Sequence, residues 1–257
     1  RHEVFDDYFK RLYPDGVYDQ IEVPCYHVTG WFDDDQKGTL EHFPALALHH
    51  PNERVRRSQK LLIGPWPHRL STDTSKLGDF DYGPHSLVPL PKEAIRWFDY
   101  WLKGIDNGIV NEPRCRLFVM GVNRWIETNA FPIEDAVQHS FYLSADGPAN
   151  SLSGNGKLTL DQATGTSHSQ FTFNPARPAP TPFWHENFQN GTNEDLRPIQ
   201  RRDDVLVFTS APLTEPLTIV GPISVELYVS TSAVDTDFVA RLSDVHPDGY
   251  AMRLNHG

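Results

Sequence analysis

The run Leu61-Leu62-Ile63-Gly64-Pro65-Trp66 contains no polar residue and has the length of a β-strand. A strand apolar on both faces must be covered on both, the situation inside a parallel sheet flanked by helices. A second run, IEVPCYHV at 21–28, is rich in β-branched and aromatic residues and also reads as a strand. Between the two, TLEHFPALALHH places Leu40, Phe43 and Ala47 at helical spacing. Pro44 predicts a kink or a delayed start there, because proline lacks the amide donor and clashes with the preceding turn. Strand, helix, strand in this order predicts a parallel β-α-β unit.

The loop after Trp66 is rich in Gly, Asp, Ser and Pro and is longer than most connections, which marks a functional segment. PKEAIRWFDYWLKG follows as the clearest helix, with Pro91 in its first turn and Gly104 as its stop. Ile95, Trp97, Phe98, Trp101 and Leu102 form a broad apolar face on it. Burial of that face is expected, at about 2–3 kcal/mol for each large ring.

After GIDNGIVNEP the rhythm changes. CRLFVMG, RWIET, HSFYLS, KLTL, SQFTFN, DVLVFTS, LTIVG, ISVELYVSTS, DFVARLSDV and YAMRLN are short strand candidates separated by Gly, Pro, Asn and Asp turns. Such punctuation predicts an all-β sandwich or jelly roll. The expected division is residues 1–110, the C-terminal portion of an α/β domain, and residues 111–257, a β-sandwich domain. Residues 175–200 read as a long surface connection. YAMRLNHG would normally lead into further strands, so the β domain is expected to be clipped.

A net charge of −11 argues against a nucleic-acid surface, which needs clustered Lys and Arg to neutralise phosphates. No stretch approaches the roughly 20 apolar residues of a membrane-spanning helix. RHEVFDDYFKRLYPDG has neither the apolar core nor the small-residue cleavage site of a signal peptide, and the chain has no initiator Met. It therefore reads as a piece of something longer or a processed form. Cys25 and Cys115 allow one disulfide, although two buried free thiols fit their strand-like surroundings better. They leave the redox compartment open.

In an open α/β sheet, functional groups gather beyond the carboxyl ends of the strands. The first strand runs into GWFDDD and the second into GPWPH, so parallel pairing would bring Asp33 close to His68. An acid followed by a histidine matches the second and third members of an α/β-hydrolase triad. There the carboxylate orients the imidazole, which takes the proton from a serine hydroxyl. Trp31, Phe32 and Trp66 would wall an acyl pocket, with Asp35 at its border and Asp34 solvated or capping the next helix. The residues alone leave a plainer reading open, a loop histidine satisfied by a backbone carbonyl.

The blocks HVTGWFDDDQKGTLEHF, LLIGPWPH, IRWFDYWLKGIDNGI and RLFVMGVNRW, and the run from VLVFTSAPLTEP to GYAMRL, occur in this order. Together they resemble the cocaine esterase / X-prolyl dipeptidyl aminopeptidase family of serine hydrolases, to which glutaryl-cephalosporin acylases and α-amino acid ester hydrolases also belong. The resemblance implies an α/β-hydrolase domain with a helical cap, followed by a jelly roll. It implies a triad acid in a Gly-Trp-Tyr-Asp motif, matched by Gly30-Trp31-Phe32-Asp33, and a triad histidine in Gly-Pro-Trp-x-His, matched by Gly64-Pro65-Trp66-Pro67-His68. Phe32 stands where the family has Tyr, which removes a hydroxyl and leaves the acid.

The family nucleophile belongs upstream, in a Gly-x-Ser-x-Gly elbow. The nearest string, GTSHS at 165–169, lacks the second glycine, follows the histidine and lies in the β half. The chain is therefore expected to be a segment of a larger hydrolase, carrying the acid and the base without the nucleophile and inactive alone. Its expected partners are the remainder of that hydrolase and a small ester, amide or peptide substrate. A homo-oligomer is compatible with the sequence, and no cofactor is called for.

Two other readings compete. Asp33, Asp34 and Asp35 with Asp79 and Asp81 could offer oxygens to Ca²⁺, but the EF-hand spacing is absent and consecutive residues are not expected to converge on one ion. The β half could instead be a non-catalytic binding or assembly module, with Trp125 and Trp184 as candidate exposed aromatics.

Overall fold

The computed structural model describes residues 4, 6–13, 16–70, 73–162, 165, 167–180 and 195–256. The chain forms two compact units that divide between Ala136 and Val137. The first contains α1 (Asp7–Lys10), β1 (Cys25–Phe32), α2 (Gln36–Pro44), α3 (Glu53–Arg57), β2 (Gln59–Pro67), β3 (Lys76–Leu77), β4 (Phe80–Asp81), α4 (Leu90–Lys103), β5 (Cys115–Val119) and β6 (Arg124–Thr128). The second contains β7 (Tyr142–Ala145), β8 (Gly156–Thr159), α5 (Arg197–Gln200), β9 (Arg241–Val245) and β10 (Ala251–His256).

A four-stranded sheet in the order β1-β2-β5-β6 organises the first unit. β1 and β5 both run parallel to β2, and β6 returns antiparallel to β5. Every residue of β2 is buried, as its apolar run demands. Pro44 has the anticipated local effect: α2 ends at it, and the chain continues as a π-helical turn over Ala45–His49. His50, just after that turn, is buried, and its Nδ1 accepts the Asn52 amide N–H at 3.0 Å. It closes the turn as an acceptor.

The sequence placed CRLFVMG and RWIET with the β half, yet both strands extend this sheet. Cys115 and Leu117 are fully buried there, so β5 covers the edge of β2 that would otherwise lie open. Strand direction first reverses at the turn from β5 to β6, after Val119, and the compact division comes later still, after Ala136.

Burying β2 also buries Lys60, whose side chain is 4% exposed. Its Nζ donates to Glu112 Oε2 at 2.7 Å, and Arg96 Nη2 donates to Glu112 Oε1 at 2.6 Å. Burial pushes the Glu112 carboxyl up, but these two cations outweigh it and hold the carboxyl below its ordinary range. A buried ammonium requires such a partner, and this one ties α4 to the sheet.

α4 covers the sheet with a narrower face than its composition suggested. Trp97 is buried and packs on Tyr26 and Trp101, with ring centroids 5.4 and 5.7 Å away. Ile95, Phe98 and Leu102 remain 59%, 52% and 76% exposed, contrary to the expected burial. At 3.6 residues per turn those three sit roughly 100° or more round the helix from Trp97. One flat sheet cannot cover both stripes.

Cys25 and Cys115 are free thiols on β1 and β5. β2 lies between those strands, and two strand spacings, about 9.5 Å, exceed the reach of a disulfide. Cys115 is buried and Cys25 half-buried. Burial raises both thiols, pushing Cys115 up to about 12.

In the second unit, β7 pairs with β8 and β9 with β10, both antiparallel. The HPDG string turns the chain between β9 and β10, with Gly249 N–H donating to His246 O at 2.8 Å. SQFTFN, DVLVFTS, LTIVG and ISVELYVSTS were expected as strands. Among the described residues they contribute only isolated bridges, Asn150–Leu206 and Lys157–Thr209. Ile223, Val225, Leu227 and Val229 alternate as a strand would, but each is 43–54% exposed. Among the described residues their apolar face is left without cover and no ladder forms along it. Trp184 lies outside the described residues.

Candidate active site

The parallel register sets Gly30 opposite Gly64 and Phe32 opposite Pro67. β2 therefore spends one residue more than β1 between these pairs, a bulge of the kind that re-aims the end of a strand. The bulge presses the Trp66 carbonyl against Gly30, where a Cβ would sit 1.9 Å from the oxygen. The Trp66 ring folds back over Gly64 in the same way, 2.3 Å from where a Cβ would be. Both motif glycines thus exist for close approach, and the two strands end side by side with Asp33 and His68 as the next residues.

His68 Nδ1 lies 2.9 Å from Asp33 Oδ1. An ionised carboxylate only accepts, so the ring nitrogen facing it carries the proton. Nε2 is then the basic nitrogen, on the opposite side of the ring. The Asp33 side chain is 8% exposed and that of His68 37%, so the acid is sheltered while the base meets solvent. Asp33 Oδ1 also accepts the Asp35 amide N–H at 3.0 Å, and Oδ2 accepts the Thr29 hydroxyl at 2.9 Å.

Asp34 Oδ1 and Asp35 Oδ2 lie 3.7 and 3.5 Å from His68 Nδ1. Three consecutive carboxylates thus face one imidazole, a convergence the sequence reading held to be out of reach for a cation. The hydrogen bond to Asp33 leads in raising the His68 pKa above its ordinary 6.5; desolvation opposes it, and the charges of Asp33, Asp34 and Asp35 add to it. A raised folded pKa means that protonated His68 contributes stability in full below 6.5, and that this is lost as pH rises through the folded value. Proton-detected titration of His68 is expected to give a midpoint above 6.5, moved down by Asp34→Asn or Asp35→Asn. A midpoint at or below 6.5 would refute that electrostatic picture.

The remaining expected site residues are placed differently. Trp66 is 2% exposed, donates its indole N–H to Ser86 O at 3.0 Å and packs with Leu62 and Val88. It is a core residue rather than an exposed pocket wall. Trp31 is half-buried, held by its indole N–H on Phe118 O at 2.7 Å, against a cluster of Phe32, Leu77, Tyr82 and Phe118. Asp35 is at the N-cap of α2, the place suggested for Asp34, with its side chain 79% exposed. Trp125 packs on Trp66 and Phe118 and donates to His85 O, so it is not an exposed binding aromatic.

Asp33, Asp34 and His68 could bring one ligand atom each within 4.8 Å of one another. Their chemistry does not fit the Ca²⁺ reading, because one of the three is an imidazole and a hard cation takes oxygens. Asp33 already holds three donors. Asp81 sits on the β3–β4 hairpin, accepting from Ser75 Oγ and Gly83 N–H.

Thr29 is the site residue that sequence reasoning missed. It is fully buried, and in a strand it reads as an ordinary β-branched core residue. Its position four residues before Asp33 was the available signal.

Residues 107–257 match the family profile described as the X-Pro dipeptidyl-peptidase C-terminal non-catalytic domain. The chain belongs to the cocaine esterase and X-Pro dipeptidyl-peptidase family. It is 34% identical to cocaine esterase of Rhodococcus sp. (strain MB1 Bresler) over 242 residues, which cover 92% of this chain and 41% of that one. Among solved structures it is similar to an α-amino acid ester hydrolase, with TM-score 0.76, 24% identity, and 99% of this chain against 44% of that one. An aminopeptidase from the marine sediment archaeon Thaumarchaeota archaeon matches with TM-score 0.73, 23% identity, and 100% against 43%. The chain thus spans about two fifths of the length of these relatives. Asp33 and His68 both precede the segment described as non-catalytic. No helix among the described residues is long and apolar enough to cross a membrane.

Proposed function

We propose that this chain is the segment of a serine hydrolase that supplies the acid and the base of the triad. The observation that carries this is the 2.9 Å bond from His68 Nδ1 to a sheltered Asp33, at the carboxyl ends of two adjacent parallel strands. In this reading the nucleophilic serine belongs to the remainder of the hydrolase. His68 Nε2 takes the proton of that serine as its Oγ attacks the ester or amide carbonyl. The same proton passes to the departing alcohol or amine as its bond to the acyl carbon breaks. Water then repeats the step on the acyl-enzyme, and Asp33 stabilises the imidazolium each time.

In this reading the first unit is the C-terminal portion of an α/β-hydrolase sheet, and the second is a jelly roll. Support comes from the likeness of fold to the two solved structures, both longer than this chain. The exposed stripe Ile95, Phe98 and Leu102 on α4 is where the remainder of the hydrolase would pack. The substrate is a small ester, amide or peptide.

A fluorophosphonate probe tests the division of labour. The expected result is labelling of a longer chain containing residues 1–257 together with a Gly-x-Ser-x-Gly elbow, and none of the 257-residue chain. Labelling of a serine within the 257 residues would show that the nucleophile is already present.

A further inference from the structure

Three carboxylates lie within 3.7 Å of one imidazole nitrogen, and a triad works with one of them. We propose that Thr29 is the positioning residue that selects Asp33, its hydroxyl locking the carboxylate so that Oδ1 alone engages His68. This rests on the serine-hydrolase reading above.

Among the described residues Asp33 Oδ2 has one hydrogen-bond donor, the Thr29 hydroxyl at 2.9 Å. Thr29 is 0% exposed and lies inside β1, so its hydroxyl has no solvent to turn towards. A β-branched side chain in a strand is also stiff about χ1. The carboxylate cannot donate, so this hydrogen bond has one polarity. Oδ1 is fixed from the other side by the Asp35 amide, and the backbone of Asp33 is fixed by its own N–H on Gly30 O at 3.1 Å. Among the described residues no buried hydroxyl holds Asp34 or Asp35, whose side chains are 54% and 79% exposed. Without the Thr29 hydroxyl, Oδ2 becomes a sheltered acceptor with no donor, and the carboxylate gains by turning about χ2. The imidazole is then shared among three acids in several orientations, and its Nε2 no longer points one way.

Two readouts test this. Thr29→Val keeps the shape and removes the donor, Thr29→Ser keeps the donor, and Thr29→Ala serves should the valine variant unfold. In the 257-residue chain, the His68 Nδ1 proton is expected as a slowly exchanging NMR resonance, broadened or lost in Thr29→Val and retained in Thr29→Ser. In the longer hydrolase, Thr29→Val is expected to lower kcat about tenfold with KM within about twofold, and Thr29→Ser to restore most of it. An unchanged resonance or an unchanged kcat in Thr29→Val overturns the proposal, as does a serine variant that behaves like the valine one. The resonance reads the role of the hydroxyl without any turnover. Its failure is thereby distinguishable from failure of the hydrolase reading, which activity surviving in Asp33→Asn would show.

Discussion

His68→Ala in the longer hydrolase is expected to lower kcat by about four orders of magnitude while leaving the fold intact. The two halves of that expectation have separate causes. In the proposed mechanism the imidazole is the general base in both half-reactions, so its loss would remove proton transfer and imidazolium stabilisation together. It is also more than a third exposed, at a strand end, so its removal opens no cavity in the core. Above the folded His68 pKa, where its charge no longer stabilises the fold, thermal unfolding should therefore be nearly unchanged, and active-site titration should show the same amount of folded enzyme. Asp33→Asn should follow with a loss of similar order, because an amide facing Nδ1 can favour the wrong tautomer. Turnover within tenfold of the parent in His68→Ala would remove His68 from the mechanism.

Gly30→Ala is expected to have the largest effect on stability. The added methyl would sit 1.9 Å from the Trp66 carbonyl oxygen and 2.5 Å from its carbon. These are backbone atoms of the neighbouring strand, in a bulge pinned by the fully packed Trp66 ring, so no side chain can turn aside. Relief requires parting β1 from β2 at the end that carries Asp33 and His68. Overpacking of this kind costs about 3 kcal/mol or more, which corresponds to a fall in Tm of roughly 6–12 °C for a domain of this size. Gly38→Ala is the control. Gly38 lies in α2 with nothing nearer than His42 Cε1 at 3.9 Å, so alanine there should leave Tm unchanged or raise it. A Gly30→Ala protein with the parent Tm would show that the strand ends are looser than the register implies. The His68 Nδ1 resonance should also be lost in Gly30→Ala, because strand separation pulls the pair apart.

Much of this site was legible because local chemistry and strand order coincide. An apolar run buried on both faces forces β2 into the middle of a sheet, and a helical segment between two such runs forces parallel pairing. Parallel pairing places the residues after the two strands together, which made Asp33 and His68 candidates, and the resemblance of GWFD and GPWPH to the family motifs singled them out. Proline 44, the helix 91–103 and its glycine stop were legible for the same reason, since each acts on its own turn. Where contacts come from distant segments, the sequence misled. Trp66 read as a pocket wall because aromatics suit either role, and only the fold shows its ring over Gly64 with its indole on Ser86. The apolar face of α4 read as wholly buried because hydrophobicity says that cover is favourable and not whether it is present.

The sequence by itself determined the parallel pairing, the two strand ends and the aspartates and histidine that follow them. It did so through steric and hydrophobic preferences that act within a few residues. Tertiary structure decided which of three neighbouring carboxylates is sheltered and held. That choice depends on the bulge in β2, the close approach of Trp66 to Gly30 and the buried Thr29 hydroxyl. Three aspartates in a row are chemically identical until distances of a few ångströms tell them apart, and such distances exist only once the strands have packed.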